Sequence, residues 1–345
     1  MIPGRDQLKR LWFTAFDALH ADALVLRHVA RHDLVVVVNL HQVSPTPNPF
    51  WSPLHPVLFG ELVDFVAPRF RVTTFGRLAE AAGDPRPALV LSFDDGYHDY
   101  VEYALPALDA RGLPSNQNVI VDCVRSGEPP AIVRLCDFLV QAPRSLVDEI
   151  RLPGAEGLRL AGDSTGDKTR YGVALCNFVK LRSREDAAPL WAELERVMAR
   201  FDGLRPTRMM TLADVRGAAR EHEIGCHSKQ HDSMEFESDA WFEADLDACA
   251  AFFRDELQQP LGVYAFPNGS ARRSLLDILF RRGVRHVLLV GEDYSTRTSR
   301  IHPRFTFGAS SSPELRARAV GFRGYLRAFT QPRPRGDRAV LEALS

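Results

Sequence analysis

Apolar runs of strand length alternate with segments of helical spacing along most of this chain. Leu34-Val35-Val36-Val37-Val38-Asn39-Leu40 is apolar and β-branched, as a strand buried on both faces requires. His41 follows it, and the Pro-rich stretch to Pro56 predicts an ordered loop. The pattern then predicts a helix over about 55–67, a strand at 71–75 and a helix near 77–82. Ala88-Leu89-Val90-Leu91-Ser92-Phe93 is a second apolar strand, with a helix over about 100–111 and a strand at 117–121 after it. Farther on come a helix at 212–221, a strand leading into His227, a helix at about 239–256, a strand at 262–266, a helix at 272–282 and a strand at 284–290. Strands alternating with helices at this spacing predict βα units and a largely parallel sheet. A barrel of such strands gathers functional groups at its C-terminal strand ends, which places His41 at the cleft, for a substrate hydrogen bond or a structural role.

The rhythm breaks over residues 125–208. This block carries Pro129-Pro130, a Gly-rich hairpin-like stretch at 152–163, and helical patterns at about 168–181 and 184–201. An insertion this long without strands of the sheet is expected either to cap the cleft and shape substrate choice or to pack as a helical support. At the N-terminus Leu8, Leu11, Trp12, Ala15 and Leu19 recur at helical spacing, with Lys9, Arg10 and Asp17 between them, which predicts an amphipathic helix. Residues 313–330 read as a terminal helix and 331–336 as a flexible tail. The expected division is an N-terminal helical segment at 1–33, a catalytic barrel at 34–310 that includes the insertion, and a C-terminal helix and tail at 311–345.

Composition narrows the classes. The chain has 345 residues, 45% hydrophobic and 25% charged, ordinary for a globular protein with a sizeable core. Lys+Arg of 43 against Asp+Glu of 44 gives a formal charge of −1, which argues against nucleic acid or an anionic membrane as the main partner. The 5 cysteines show no paired spacing and read as buried thiols. The four tryptophans, Trp12, Trp51, Trp191 and Trp241, do not cluster in sequence, so the pattern offers no stacking platform. The longest apolar run, Ala248 to Phe253, is far below the ~20 residues of a spanning helix. The N-terminus lacks the order of a signal peptide, so a cytoplasmic location is expected, with either core packing or peripheral membrane contact through the N-terminal helix.

The candidate chemistry sits at two strand ends. Asp94-Asp95-Gly96 closes the 88–93 strand, and Gly96 permits a turn that aims both carboxylates into one cavity. Two crowded acids need a cation, or one must stay protonated. His227-Ser228-Lys229-Gln230-His231 supplies two imidazoles spaced i,i+4, on one face of a helical turn or at the two ends of a strand-to-helix bend. Two imidazoles and one carboxylate form a three-ligand set that leaves a zinc position open for water. One of Asp94 and Asp95 would bind the metal and the other would remain free as a base. Cys226 precedes His227 and faces the opposite side of its strand. Asp293, after the last predicted strand, is a candidate to orient a histidine, and Tyr264 reads as strand packing.

These blocks, with Tyr264-Ala265-Phe266-Pro267-Asn268-Gly269, resemble the polysaccharide deacetylases (carbohydrate esterase family four, the NodB-homology domain), over about residues 34–121 and 209–310. The resemblance implies an irregular seven-stranded (β/α) barrel and removal of N-acetyl groups from a sugar, oligosaccharide or polysaccharide. It implies Asp94 as general base, Asp95, His227 and His231 as ligands of a divalent metal, most often Zn with Co, Ni or Mn as alternatives, and the backbone around Asn268 as an oxyanion and substrate contact. Two positions depart from the family. Ala265 stands where many members carry an Arg that orients the base, so another residue or a water must do that. Arg300-Ile301-His302-Pro303 is an imperfect match to the late Leu-x-His block, leaving His302 as a candidate general acid or a surface loop histidine. Fold does not fix substrate. Hydrolysis of a small or cyclic amide and a catalytically silent carbohydrate-binding role are the other readings.

Overall fold

The computed structural model describes residues 5–330 and Asp337; the tail expected at 331–336 lies outside them. Among the described residues nine strands form one sheet: β1 (Leu34–Leu40), β2 (Arg71–Val72), β3 (Ala88–Phe93), β4 (Asn116–Val119), β5 (Glu223–Cys226), β6 (Val263–Ala265), β7 (His286–Val290), β8 (Ser295–Thr296) and β9 (Ile301–Thr306). β1 pairs in parallel with β3 on one side and β9 on the other. β3, β4, β5, β6, β7 and β9 run parallel around the rest of the ring, closing a 7-strand barrel. β2 lies beside the first half of β3, and β8 runs antiparallel against the start of β1.

Alternation along these strands sorts the side chains into a lumen and an outer core. Val35, Val37, Ala88, Val90, Ala265 and Leu288 face one another inside, where the 3₁₀ segment Phe75–Ala81 plugs the N-terminal end with Phe75 and Leu78. The Glu223 carboxylate anchors that plug by accepting the Phe75 and Gly76 N–H groups at 3.0 and 2.7 Å. One step farther along the same faces the lumen turns polar, with Asn39, Ser92, Asn116, Asn118 and Arg304 all buried. Val36, Val38, Leu40, Leu89, Leu91 and Cys226 belong to the outer core beneath the helices.

Several elements depart from the pattern reading. The strand expected at 71–75 ends at Val72, because Phe75 already begins the plug. The helix expected over 100–111 opens as a π-helical turn at Tyr100–Ala104 before an α-helix at Leu105–Asp109; Pro106 has no N–H to continue the ladder. The strand expected at 117–121 stops at Val119, and Val121–Ser126 is a helix. The terminal helix is two helices, Ser312–Ala319 and Phe322–Thr330. They break at Gly321, whose φ is +68° and where a Cβ would lie 2.8 Å from the rings of Tyr294 and Phe305.

The insertion holds three long helices, Ala131–Gln141, Thr165–Lys180 and Arg184–Met198. The first is not anticipated by the pattern. Leu135, Phe138, Leu139, Leu175, Leu190 and Leu194 from all three form a separate apolar core. The expected hairpin at 152–163 is a series of turns without strands. Its Leu152, Ala155 and Leu160 fold into that core instead of pairing across a ladder. The N-terminal helix Arg5–Ala18 packs back on the barrel: Phe16 is buried, Trp12 and Phe16 meet Phe322, and Lys9 pairs with Glu314 at 2.8 Å. Leu8, Leu11 and Leu19 remain exposed. Among the described residues no helix is long and apolar enough to cross a membrane.

Candidate metal and base site

The C-terminal mouth of the barrel opens into a cavity of about 500 Å³ lined by His41, Asp94, Asp95, His227, His231, Asn268 and Arg304, among others. Asp94 continues β3, held by its N–H donating to the Leu40 carbonyl at 3.0 Å. Asp95 and Gly96 both take left-handed backbone, with φ of +76° and +80°. For a non-glycine residue that conformation is strained and recurs at functional sites. It turns the second carboxylate to the same side as the first, the role the sequence assigns to the Gly96 turn.

His227 follows β5. His231 reaches it through a loop and not a helical turn: Ser228 and His231 have φ of +64° and +68°, and the His231 N–H donates to Ser228 Oγ at 2.8 Å. The Nε2 atoms of His227 and His231 then lie 3.3 and 3.4 Å from Asp95 Oδ1. The three ligand atoms fall within 4.8 Å of one another.

The chemistry of this donor set fits a divalent cation. Asp95 Oδ1 is buried without a hydrogen-bond partner among the described residues. His227 Nδ1 donates to the Ala265 carbonyl at 2.9 Å, which leaves Nε2 as the acceptor of a neutral ring. The Nε2 lone pair of His227, facing a carboxylate oxygen at this distance, is repelled by it unless a proton or a metal lies between them. Burial pushes the Asp95 carboxyl up, but His227 and His231 more than offset it and hold it well below its usual range. Burial likewise favours neutral His227, and Asp94 and Asp95 reverse that and raise its pKa. A divalent cation placed between these atoms would satisfy the carboxylate and both imidazoles.

Asp94 occupies a different setting. Arg304 reaches across from β9 and grips it with two bonds of 2.7 Å, Nη1 to Oδ1 and Nη2 to Oδ2. Asn118 Nδ2 donates to Oδ1 at 2.8 Å, and Arg304 Nη1 also donates to Asn39 Oδ1 at 3.0 Å. Burial alone would raise the Asp94 carboxyl, yet Arg304 and then His227 hold it far below the ordinary carboxylate range. The acid pair is therefore compatible: one carboxylate is neutralised by a fixed guanidinium and the other faces two imidazoles.

Arg304 is a residue of this candidate site that the sequence alone does not reveal. Ala265 faces the apolar lumen on β6, and Arg304 stands two strands along, on β9. The signal is the alternation Ile301-His302-Pro303-Arg304-Phe305, which has strand period although His302-Pro303 reads locally as loop. The same strand removes His302 from the cleft. His302 is fully buried one layer down, with Nε2 3.1 Å from His286 Nδ1 and Nδ1 2.9 Å from Ser295 Oγ. Burial, with His286, pushes its pKa down to about 3, so it is neither a surface histidine nor placed as an acid. Asp293 is also elsewhere, accepting the Tyr294 N–H at 2.8 Å. Asn268, at φ +57°, lines the cavity and donates through its side chain to Ser233 Oγ at 3.1 Å. Tyr264 packs between Phe242 and Phe266.

Residues 213–287 match the sequence model of the polysaccharide deacetylase family. That match spans less than half of the chain and marks a similarity to the polysaccharide deacetylases over this stretch. The matched stretch contains His227, His231 and Asn268, whereas Asp94 and Asp95 lie outside it. The fold is similar to that of the Streptococcus pyogenes deacetylase PplD in complex with acetate, at 12% identity and a TM-score of 0.55 over 83% of this chain and 98% of that one. It is similar also to IcaB from Ammonifex degensii, at 16% identity and a TM-score of 0.53 over 84% and 97%. A de-N-acetylase from Aggregatibacter actinomycetemcomitans matches at 12% identity and a TM-score of 0.50 over 81% and 97%. At such identities the likeness is one of fold. No curated protein matches the sequence.

Proposed function

We propose that this protein belongs with the polysaccharide deacetylases and is a metal-dependent hydrolase that removes N-acetyl groups from a sugar, oligosaccharide or polysaccharide. The observation that carries the reading is the convergence of Asp95, His227 and His231 beside an arginine-held Asp94 in one cavity at the barrel mouth. Asp95, His227 and His231 would hold a divalent ion, zinc being the best match to two imidazoles and a carboxylate. Such an ion supplies Lewis-acid polarisation of a carbonyl and lowers the pKa of water. Asp94, ionised by Arg304, accepts the proton of the attacking water. The backbone at Asn268 faces the oxygen on which negative charge develops. Collapse of the tetrahedral species breaks the C–N bond and yields acetate and a free amine. His41 lines the same cavity outside the ligand set and takes the acid role that His302 cannot reach.

The deciding experiment is acetate release from a panel of N-acetylated mono- and oligosaccharides by purified protein. Release lost on chelation and restored by Zn²⁺ or Co²⁺ is expected. A metal-loaded protein that releases acetate from none of them, or that cleaves small cyclic amides instead, overturns the reading.

A further inference from the structure

A second cavity of about 450 Å³ adjoins the first, and the two share Ile132, Lys180, His231 and Asn268 as lining. Its outer wall is built by the insertion: Ala187, Ala188 and Trp191 come from the helix Arg184–Met198, and Lys180 ends the helix Thr165–Lys180. Its inner wall is the loop after β5 that carries His231, through Gln230, Asp232 and Ser233. A group bound here therefore lies directly against a candidate metal ligand. Neither the barrel mouth nor the matched family segment accounts for this space, because most of its outer wall falls within residues 125–208.

Charge identifies what it takes. Four acids line it, and three are matched within the protein: Asp122 by Lys229 at 2.7 Å, Glu195 by Arg134 at 2.8 Å and Asp232 by Arg184 at 3.1 Å. The fourth, Glu128, is exposed. Arg182 is held over the Phe178 ring at 3.9 Å and donates to the Phe178 carbonyl. Lys180 is half-buried where the two cavities meet, and among the described residues it has no ion-pair or hydrogen-bond partner. A partly desolvated ammonium without a counter-ion, at the junction of the reactive cavity and a sugar-sized one, is matched by an anionic ligand group.

We infer that the second cavity binds the residue attached to the N-acetylated sugar, and that this residue bears a carboxylate or phosphate recognised by Lys180. The inference rests on the deacetylase reading and adds to it a substrate class: an anionic N-acetylated saccharide longer than a monosaccharide, or one carrying a phosphate. Trp191 and Ile132 supply apolar surface for a sugar face, and Lys180 supplies the charge.

The test compares three probes that share one N-acetylglucosamine unit: one linked to glucose, one linked to glucuronate and one carrying a phosphate. With metal-loaded protein, kcat/KM for at least one anionic probe exceeds that for the neutral probe by about tenfold or more, the range of a charge-assisted hydrogen bond. The glucuronate and phosphate arms distinguish the two anions. Lys180→Gln brings the anionic-to-neutral ratio toward one, and Lys180→Arg keeps it. The ratio in the unaltered protein stands whether or not the variant folds. Calorimetric titration of Asp94→Asn protein with the same probes reads the preference without turnover. Acetate release with equal rates and affinities for all three probes overturns the anion site and leaves the deacetylase reading intact. Anion-selective binding without acetate release does the reverse.

Discussion

Asp94 and Asp95 are adjacent in the chain and opposite in electrostatic setting, so their replacements should separate. Asp95→Asn removes a charged oxygen from the ligand set, and metal analysis should find occupancy lost together with activity. Asp94→Asn should keep metal near normal occupancy while turnover falls by about 10²–10⁴-fold, the usual range for a positioned base. An active, metal-loaded Asp94→Asn protein would refute the assignment. Arg304 is predicted to set both the stability and the proton affinity of that base. Arg304→Met strands a buried carboxylate, which costs about 3–5 kcal/mol when one partner of a buried pair is lost; denaturant titration measures it. The sign of the pH effect follows from the direction of the shift. Arg304 depresses the Asp94 pKa, keeping the base ionised into acid. Its loss lets burial raise that pKa, so the acid limb of the kcat/KM profile should move to higher pH.

At the scale of elements, the polar layer depends on how closely β4 and β5 approach. Gly225 faces the lumen, and a Cβ there would lie 2.1 Å from Asn118 Oδ1. Asn118 cannot swing aside without giving up its bond to Asp94. Gly225→Ala is therefore expected to lose about 1–3 kcal/mol, as overpacked sites do, and to lower kcat more than it raises KM. A thermal melt and steady-state kinetics test this, and unchanged kcat would show that Asn118 is dispensable to the base. β9 shows the same coupling of register to chemistry. Its inward positions are His302 and Arg304, so a shift of one residue would turn both away from the lumen.

For the whole molecule, the barrel assembles the candidate site from β3, β5 and β9, strands far apart in sequence. A metal bound at Asp95, His227 and His231 consequently binds only the folded chain. At a free concentration of roughly one hundred times Kd it should add about 2.7 kcal/mol of stability. Scanning calorimetry with and without Zn²⁺ should show a rise of several degrees in Tm, abolished in His231→Ala. A Tm indifferent to divalent ions at millimolar concentration would contradict the proposed centre.

The local pattern was enough for much of this. Period and composition located β1, β3, β6 and β7, because strands buried on both faces must be nearly continuous apolar runs, and the position of His227 located β5. The Asp-Asp-Gly turn and the spaced histidines stood out because crowded acids and paired imidazoles have few uses other than a metal and a base. Tertiary structure decided the rest. Arg304 became visible only when the barrel closed and brought β9 beside β1, since its partner Asp94 is more than two hundred residues away. His302 beside Pro303 reads locally as loop, and only its place in the ring buries it under the site. The insertion's first helix and its cavity with Lys180 arise from packing among helices, a contact order that no short window of sequence records.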